Sequence, residues 1–114
     1  MQKLSLDALA REQLAAAERA TAGRSARTVM GGHERALRQT VIAIRAGHEL
    51  AEHENPGEAT LVVLRGRVRL VAGEDAWEGR AGDFLIVPDR AHRLEAVEHS
   101  AVLLSAVTIA RPPR

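Results

Sequence analysis

From residue 28 onward the chain is a succession of short apolar runs cut by turn residues, with no run between them that reads as a crossover helix. Strands are expected near residues 37–45, 48–53, 59–65, 67–72, 75–78, 83–87, 91–97 and 101–109. Turns fall at Gly31-Gly32, Ala46-Gly47, Asn55-Pro56-Gly57, Arg65-Gly66, Gly73-Glu74, Gly79 and Pro88-Asp89, where glycine supplies positive φ and proline a fixed one. Val68 and Leu70 alternate with Arg67 and Arg69, so one face of that strand is buried and the other is wet. Many short strands without crossovers pair antiparallel, as a sandwich or a barrel. Trp77, between Ala76 and Glu78, is expected to cover a barrel mouth or an interface.

The first residues have a different character. Over residues 5–21 Ser5 can cap a helix, Asp7 suits its first turn, and alanine is plentiful. Leu6, Leu9, Ala10, Gln13, Leu14 and Ala17 fall on one face, and Gly23 is the expected stop. Such a thin stripe can dock on a larger body but cannot form a domain alone. The expected organisation is an N-terminal helix and linker (1–27), a β barrel (28–110) and a short tail (111–114).

Composition removes several function classes. At 114 residues the chain holds one core and not two. Only Phe84 and Trp77 are aromatic, net charge is +1 with both signs interspersed, and no second helix follows the first at helix-turn-helix spacing. Stacking platforms, steering fields and DNA-reading geometry are all missing, so no nucleic-acid partner is expected. There are no cysteines for thiol chemistry or zinc ribbons. No apolar run is long enough to cross a bilayer, and Asp7, Arg11 and Glu12 interrupt the N-terminus before any signal-like stretch. No membrane partner is expected, and the expected location is the cytoplasm.

The segment GHELAEHENPGEATLVVLRG, residues 47–66, carries more specific information. Together with the stretch that follows, to Ala96, it resembles the cupin superfamily of double-stranded β-helix barrels, in particular the small single-domain RmlC-like members. The first motif of that family runs glycine, five residues, histidine, one residue, histidine, three or four residues, glutamate, six residues, glycine. Gly47, His53 and Gly66 fall on that grid, whereas Asn55 stands at the second histidine position and Ala59 at the glutamate position. In the second motif Gly82 and Pro88 match and His92 arrives one residue early, while Arg90 replaces a glycine and Ala96 an asparagine. The resemblance implies an all-β fold: a cupin-type double-stranded β-helix (jelly-roll barrel) with one N-terminal α-helix.

The resemblance also implies a metal centre of three imidazoles and a carboxylate, a set suited to Fe, Mn, Ni, Co, Cu or Zn. Here the motif is degenerate. His53 and His92 remain, Asn55 offers a neutral carbonyl oxygen, and Ala59 offers nothing. Glu58 is adjacent, but strand alternation turns it outward. Glu49 shares parity with His53, yet Leu50 is the apolar residue there and argues for the opposite phase. His33 can fold over the mouth and supply a third nitrogen. The metal-ligand candidates are therefore His53, His92 and His33.

The pocket-lining candidates are His53, Asn55, Ala59, His92 and Arg90, the last able to meet a carboxylate through two parallel hydrogen bonds. The alternative for both histidines is a neutral, satisfied place in the barrel wall. His48 and His99 are expected on the surface, and Arg65, Arg67 and Arg69 on a solvated strand face. No phosphate loop and no G-x-S-x-G elbow is present.

Three functions stay open. The preferred one is a cupin that binds a small polar molecule in the barrel with no tightly held cofactor. The second is a metal-dependent enzyme, a dioxygenase or isomerase, using Fe, Mn, Ni, Cu or Zn. The third is a ligand-responsive sensor or accessory protein. A homodimer is expected in each case.

Overall fold

The computed structural model describes residues 2–53 and 57–108, with backbone alone at positions 53 and 108. One helix, α1 (Leu6–Arg19), precedes nine strands: β1 (Arg24–Met30), β2 (Leu37–Ile44), β3 (Glu49–His53), β4 (Gly57–Arg65), β5 (Arg67–Ala72), β6 (Asp75–Arg80), β7 (Phe84–Ile86), β8 (His92–Ala96) and β9 (Ser100–Thr108). They form a five-stranded sheet ordered β1-β2-β9-β4-β7 and a four-stranded sheet ordered β3-β8-β5-β6. Every described pairing is antiparallel. The all-β reading with one N-terminal helix therefore holds. The tail, 111–114, lies outside the described residues.

The register shows why the two sheets close on each other. Ile42, Val102 and Val63 stand side by side across β2, β9 and β4. Leu50, Leu94 and Leu70 do the same across β3, β8 and β5. All six belong to, or pack against, one aliphatic cluster between the sheets. Burying each such side chain is worth about 1.5–3 kcal/mol, and this layer is what holds the mouth-forming strands in place.

The outer face of the five-stranded sheet is half covered by α1. Ala10 and Ala17 seat on Ala43 and Ala101, with Leu14 and Leu64 beside them. Small residues on both sides let the helix come close. The Ser5 hydroxyl caps the helix by accepting the Ala8 N–H at 3.1 Å, and the helix ends at Arg19, ahead of Gly23. Its last carbonyls, those of Glu18 and Ala20, accept from Arg45 Nη1 at 2.9 and 3.3 Å.

β1 was not expected from the sequence. RSARTVM shows no apolar alternation, and most of the strand is exposed. It is an edge strand held by its ladder to β2, so its formation rests on backbone pairing that side-chain pattern does not encode. It begins inside the stretch read as a linker. Trp77 lies on the edge strand β6, directly opposite the buried Leu70, and is 41% exposed.

Candidate functional site

Of the family-motif positions, 53 and 92 pair across β3 and β8, and Ala59 lies near the start of β4 in the other sheet. On β8, His92 is only 6% exposed, one of two buried polar residues identified among the described ones. Its Nδ1 lies 2.9 Å from the Arg90 carbonyl oxygen. A carbonyl only accepts, so Nδ1 carries the proton in this contact.

Position 53 stands opposite His92 in the β3–β8 register. Simple alternation from Leu50 would put it on the other row, with Glu49. The register shifts between Leu50 and position 53, so simple alternation does not carry through to that position. Parity counted from Glu49 or from Leu50 is therefore no guide to position 53.

Across the barrel, Ala59 packs against the aliphatic cluster, and its carbonyl accepts the Val87 N–H at 3.0 Å. Glu58 is exposed on the opposite face, as alternation requires. Ala59 also lines an open, apolar groove of about 630 Å³ with Thr60, Phe84, Ile86, Pro88 and Asp89. Asn55 lies outside the described residues.

The remaining candidates are placed differently. Arg90 directs its guanidinium to the Asp75 carboxylate on the β5–β6 hairpin, so the group read as a carboxylate receptor already holds one from its own chain. Its backbone carbonyl, not its charge, is what reaches His92. His33 is exposed in the connection between β1 and β2. Among the described residues no three His, Cys, Asp or Glu side chains form a metal-holding group.

Two histidines read as plain surface residues have defined partners. His48 is half-buried; its Nε2 accepts from Arg45 Nη2 at 3.0 Å. Its ring lies so close to Gly23 that any Cβ there would fall 2.5 Å from it. His99 Nδ1 accepts the Ala46 N–H at 3.0 Å, and its Nε2 faces Glu18 at 3.5 Å. Together with Arg45 they tie the end of α1 to the β2–β3 and β8–β9 turns. A cleft of about 420 Å³ opens beside them, lined by Gly47, His48, Glu49, Glu95, Ala96 and Val97. Nothing in the sequence announces this cluster, because its members come from three separate turns.

On the outer face of β3 and β8, Glu49 and Glu95 stand opposite each other. Arg93 reaches both, at 3.5 and 3.0 Å, and Arg69 reaches Glu95 at 3.6 Å. That network offsets a like-charge pairing that would otherwise weaken the sheet. It also places Arg69 on a solvated face, as expected, while Arg65 is drawn to Asp7 of the helix.

The cupin-domain family profile matches residues 40–108, well over half of the chain. The chain belongs to the cupin family. Solved structures agree on the architecture. A conserved protein of unknown function from Streptococcus pyogenes superposes with a TM-score of 0.71 at 25% identity, covering 81% of this chain and 80% of that one. A cupin superfamily protein from Desulfitobacterium hafniense gives 0.69 at 14% identity, covering 75% and 78%. An RmlC-like cupin from Desulfovibrio desulfuricans gives 0.64 at 25% identity, covering 74% and 81%. No curated protein matches the sequence.

Within this cupin the donor set is short of a family-type metal centre. Ala59 carries a methyl group where the family motif has a charged oxygen, and among the described residues no three His, Cys, Asp or Glu side chains form a metal-holding group. A neutral amide at position 55 is a weak donor for a transition metal. The described residues at the motif positions do not by themselves complete a family-type metal set.

Proposed function

We propose that this cupin binds a small polar molecule at the barrel mouth without a tightly held metal, acting in the cytoplasm as a homodimer. The observation that carries the reading is His92: a nearly fully buried imidazole with its tautomer fixed by the Arg90 carbonyl. It stands in register with position 53. Fixed polar groups at a concave, otherwise apolar wall are how small-molecule sites obtain orientation and selectivity. Asn55 adds an amide that can both donate and accept, and Ala59 leaves the opposite wall apolar.

A metal-dependent enzyme is the second reading, favoured by one observation, the pairing of two histidine positions across adjacent strands. Native mass spectrometry of untagged protein, with parallel metal analysis, separates the two. The expected result is a small organic adduct, released on denaturation and lost in His92→Ala, with metal far below one equivalent. Near-stoichiometric Fe, Mn, Ni, Cu or Zn and a melting temperature lowered by chelator would overturn the proposal.

A further inference from the structure

The outer face of the four-stranded sheet holds two cross-strand pairs of like charge, Glu49 with Glu95 and Arg67 with Arg80. Like charges set directly opposite each other weaken a sheet. For the acidic pair the chain supplies a counter-ion, since Arg93 reaches both carboxylates. For the basic pair it supplies none: the ion pairs among the described residues include neither Arg67 nor Arg80. The neighbouring acids are placed otherwise. Glu78 stands opposite Arg69, Asp83 Oδ2 accepts the Arg80 N–H at 2.8 Å, and Glu98 donates its own N–H to the Arg67 carbonyl at 3.2 Å.

Arg67 departs from a plain solvated arginine in a second way. It is half-buried, unlike the exposed Arg69 two residues on. Its Nε is sealed from solvent and has no acceptor, the one such side-chain atom identified among the described residues. A guanidinium N–H only donates, and a buried one left unpaired is costly. With water excluded around its root, this cation is also less screened than an exposed one. Both arginines grow from fixed backbone. Arg67 donates its N–H to Ser100 Oγ at 3.0 Å, and the Arg80 carbonyl accepts the Asp83 N–H at 2.8 Å. A fixed root lowers the entropy lost when a ligand orders the side chain.

We propose that Arg67 and Arg80 form a binding site for a dianionic tetrahedral oxyanion, a phosphate or a phosphate monoester. The site lies on the face turned away from the aliphatic layer, apart from the barrel mouth. Side chains directly opposite in a sheet have Cβ atoms about 4.5–5.5 Å apart, so both guanidiniums can close on one anion. Two positive charges match a dianion, and the planar forks suit its terminal oxygens. The anion does for this pair what Arg93 does for Glu49 and Glu95.

Thermal unfolding of the full chain in inorganic phosphate, against chloride of equal ionic strength, tests the site. Phosphate should raise the wild-type Tm in a saturable way. Arg80 is exposed, so its variants keep the fold. Arg80→Gln should weaken phosphate binding at least about tenfold by calorimetry. Arg80→Glu gives Arg67 a counter-ion within the chain, so it should melt above wild type in chloride and no longer respond to phosphate. Arg38→Gln, which removes an exposed arginine from the other sheet, should leave the response intact. Glycerol 3-phosphate separates the two sources: binding as tight as phosphate or tighter assigns a monoester, and weaker binding assigns the free anion. No saturable response in wild type overturns the site, as does a response that survives Arg80→Glu. Equal losses in Arg38→Gln and Arg80→Gln would reduce it to general surface charge and overturn it too.

Discussion

Gly66 shows how much one residue can decide. It joins β4 to β5 at φ +78°, and a Cβ there would fall 2.2 Å from the His99 carbonyl oxygen. The neighbouring Ser100 hydroxyl is fully buried, accepting the Arg67 N–H and facing the Arg67 and Glu98 carbonyls. Gly47 has a similar φ, +84°, but a Cβ there would meet nothing within 4 Å. The pair separates backbone strain from lack of space. Gly47→Ala should cost about 1–2 kcal/mol, the left-handed penalty alone. Gly66→Ala should cost clearly more, about 3 kcal/mol or above, because strain and a backbone clash add. Urea denaturation of the two variants checks this; equal losses would mean the β4–β5 turn can move. Both glycines were legible in the sequence as turn residues. The histidine cluster was not, since the partners of His48 and His99 depend on where a distant helix comes to rest.

At the level of elements, α1 was legible from local chemistry, namely Ser5, Asp7 and its alanines. What fixes it to the barrel was not, because Asp7 meets Arg65 across 58 positions of sequence. The Arg65 hydrogen bond, aided by the charges of Arg65 and Arg11, holds the Asp7 carboxyl below its ordinary value of 3.8, against a smaller opposing desolvation. A carboxylate depressed in the folded state stabilises above its unfolded pKa and loses that contribution as pH falls through the folded value. Helix anchoring should therefore be full above about pH 4 and weaken below it. Asp7→Asn should be slightly less stable than wild type at neutral pH, and the gap should close under acid. Denaturation of both proteins across that range tests the point. A gap that stays constant would show that Asp7 contributes through packing or capping and not through its charge. β1 lies at the other extreme of legibility: its residues form a strand because β2 presents an open edge, which no local pattern reveals.

For the whole molecule, the barrel was readable because each strand carries its own alternation, and rows such as Ile42–Val102–Val63 only have to line up. The candidate site was readable in part. Spacing placed His53 and Ala59 at family-motif positions and His92 one residue early, and parity alone left the phase of β3 undecided because the register shifts between Leu50 and His53. The partner of Arg90 was not legible for a similar reason: Asp75 belongs to a different hairpin. The convergence of these positions can be tested by rebuilding the missing donors. His92 and position 53 come from one sheet, and Ala59 comes from the other, packed on the aliphatic layer between them. Asn55→His with Ala59→Glu should therefore create a three-imidazole, one-carboxylate set and raise Ni²⁺ or Zn²⁺ affinity at least about a hundredfold by calorimetry, equivalent to about 2.7 kcal/mol. At a free-metal concentration of about one hundred times the new dissociation constant, the metal should also stabilise the fold by about 2.7 kcal/mol. Adding His92→Ala should remove most of both gains. No gain in the double variant would mean that these positions do not share one mouth, and the proposed ligand site would fall with that result while the cupin fold stood.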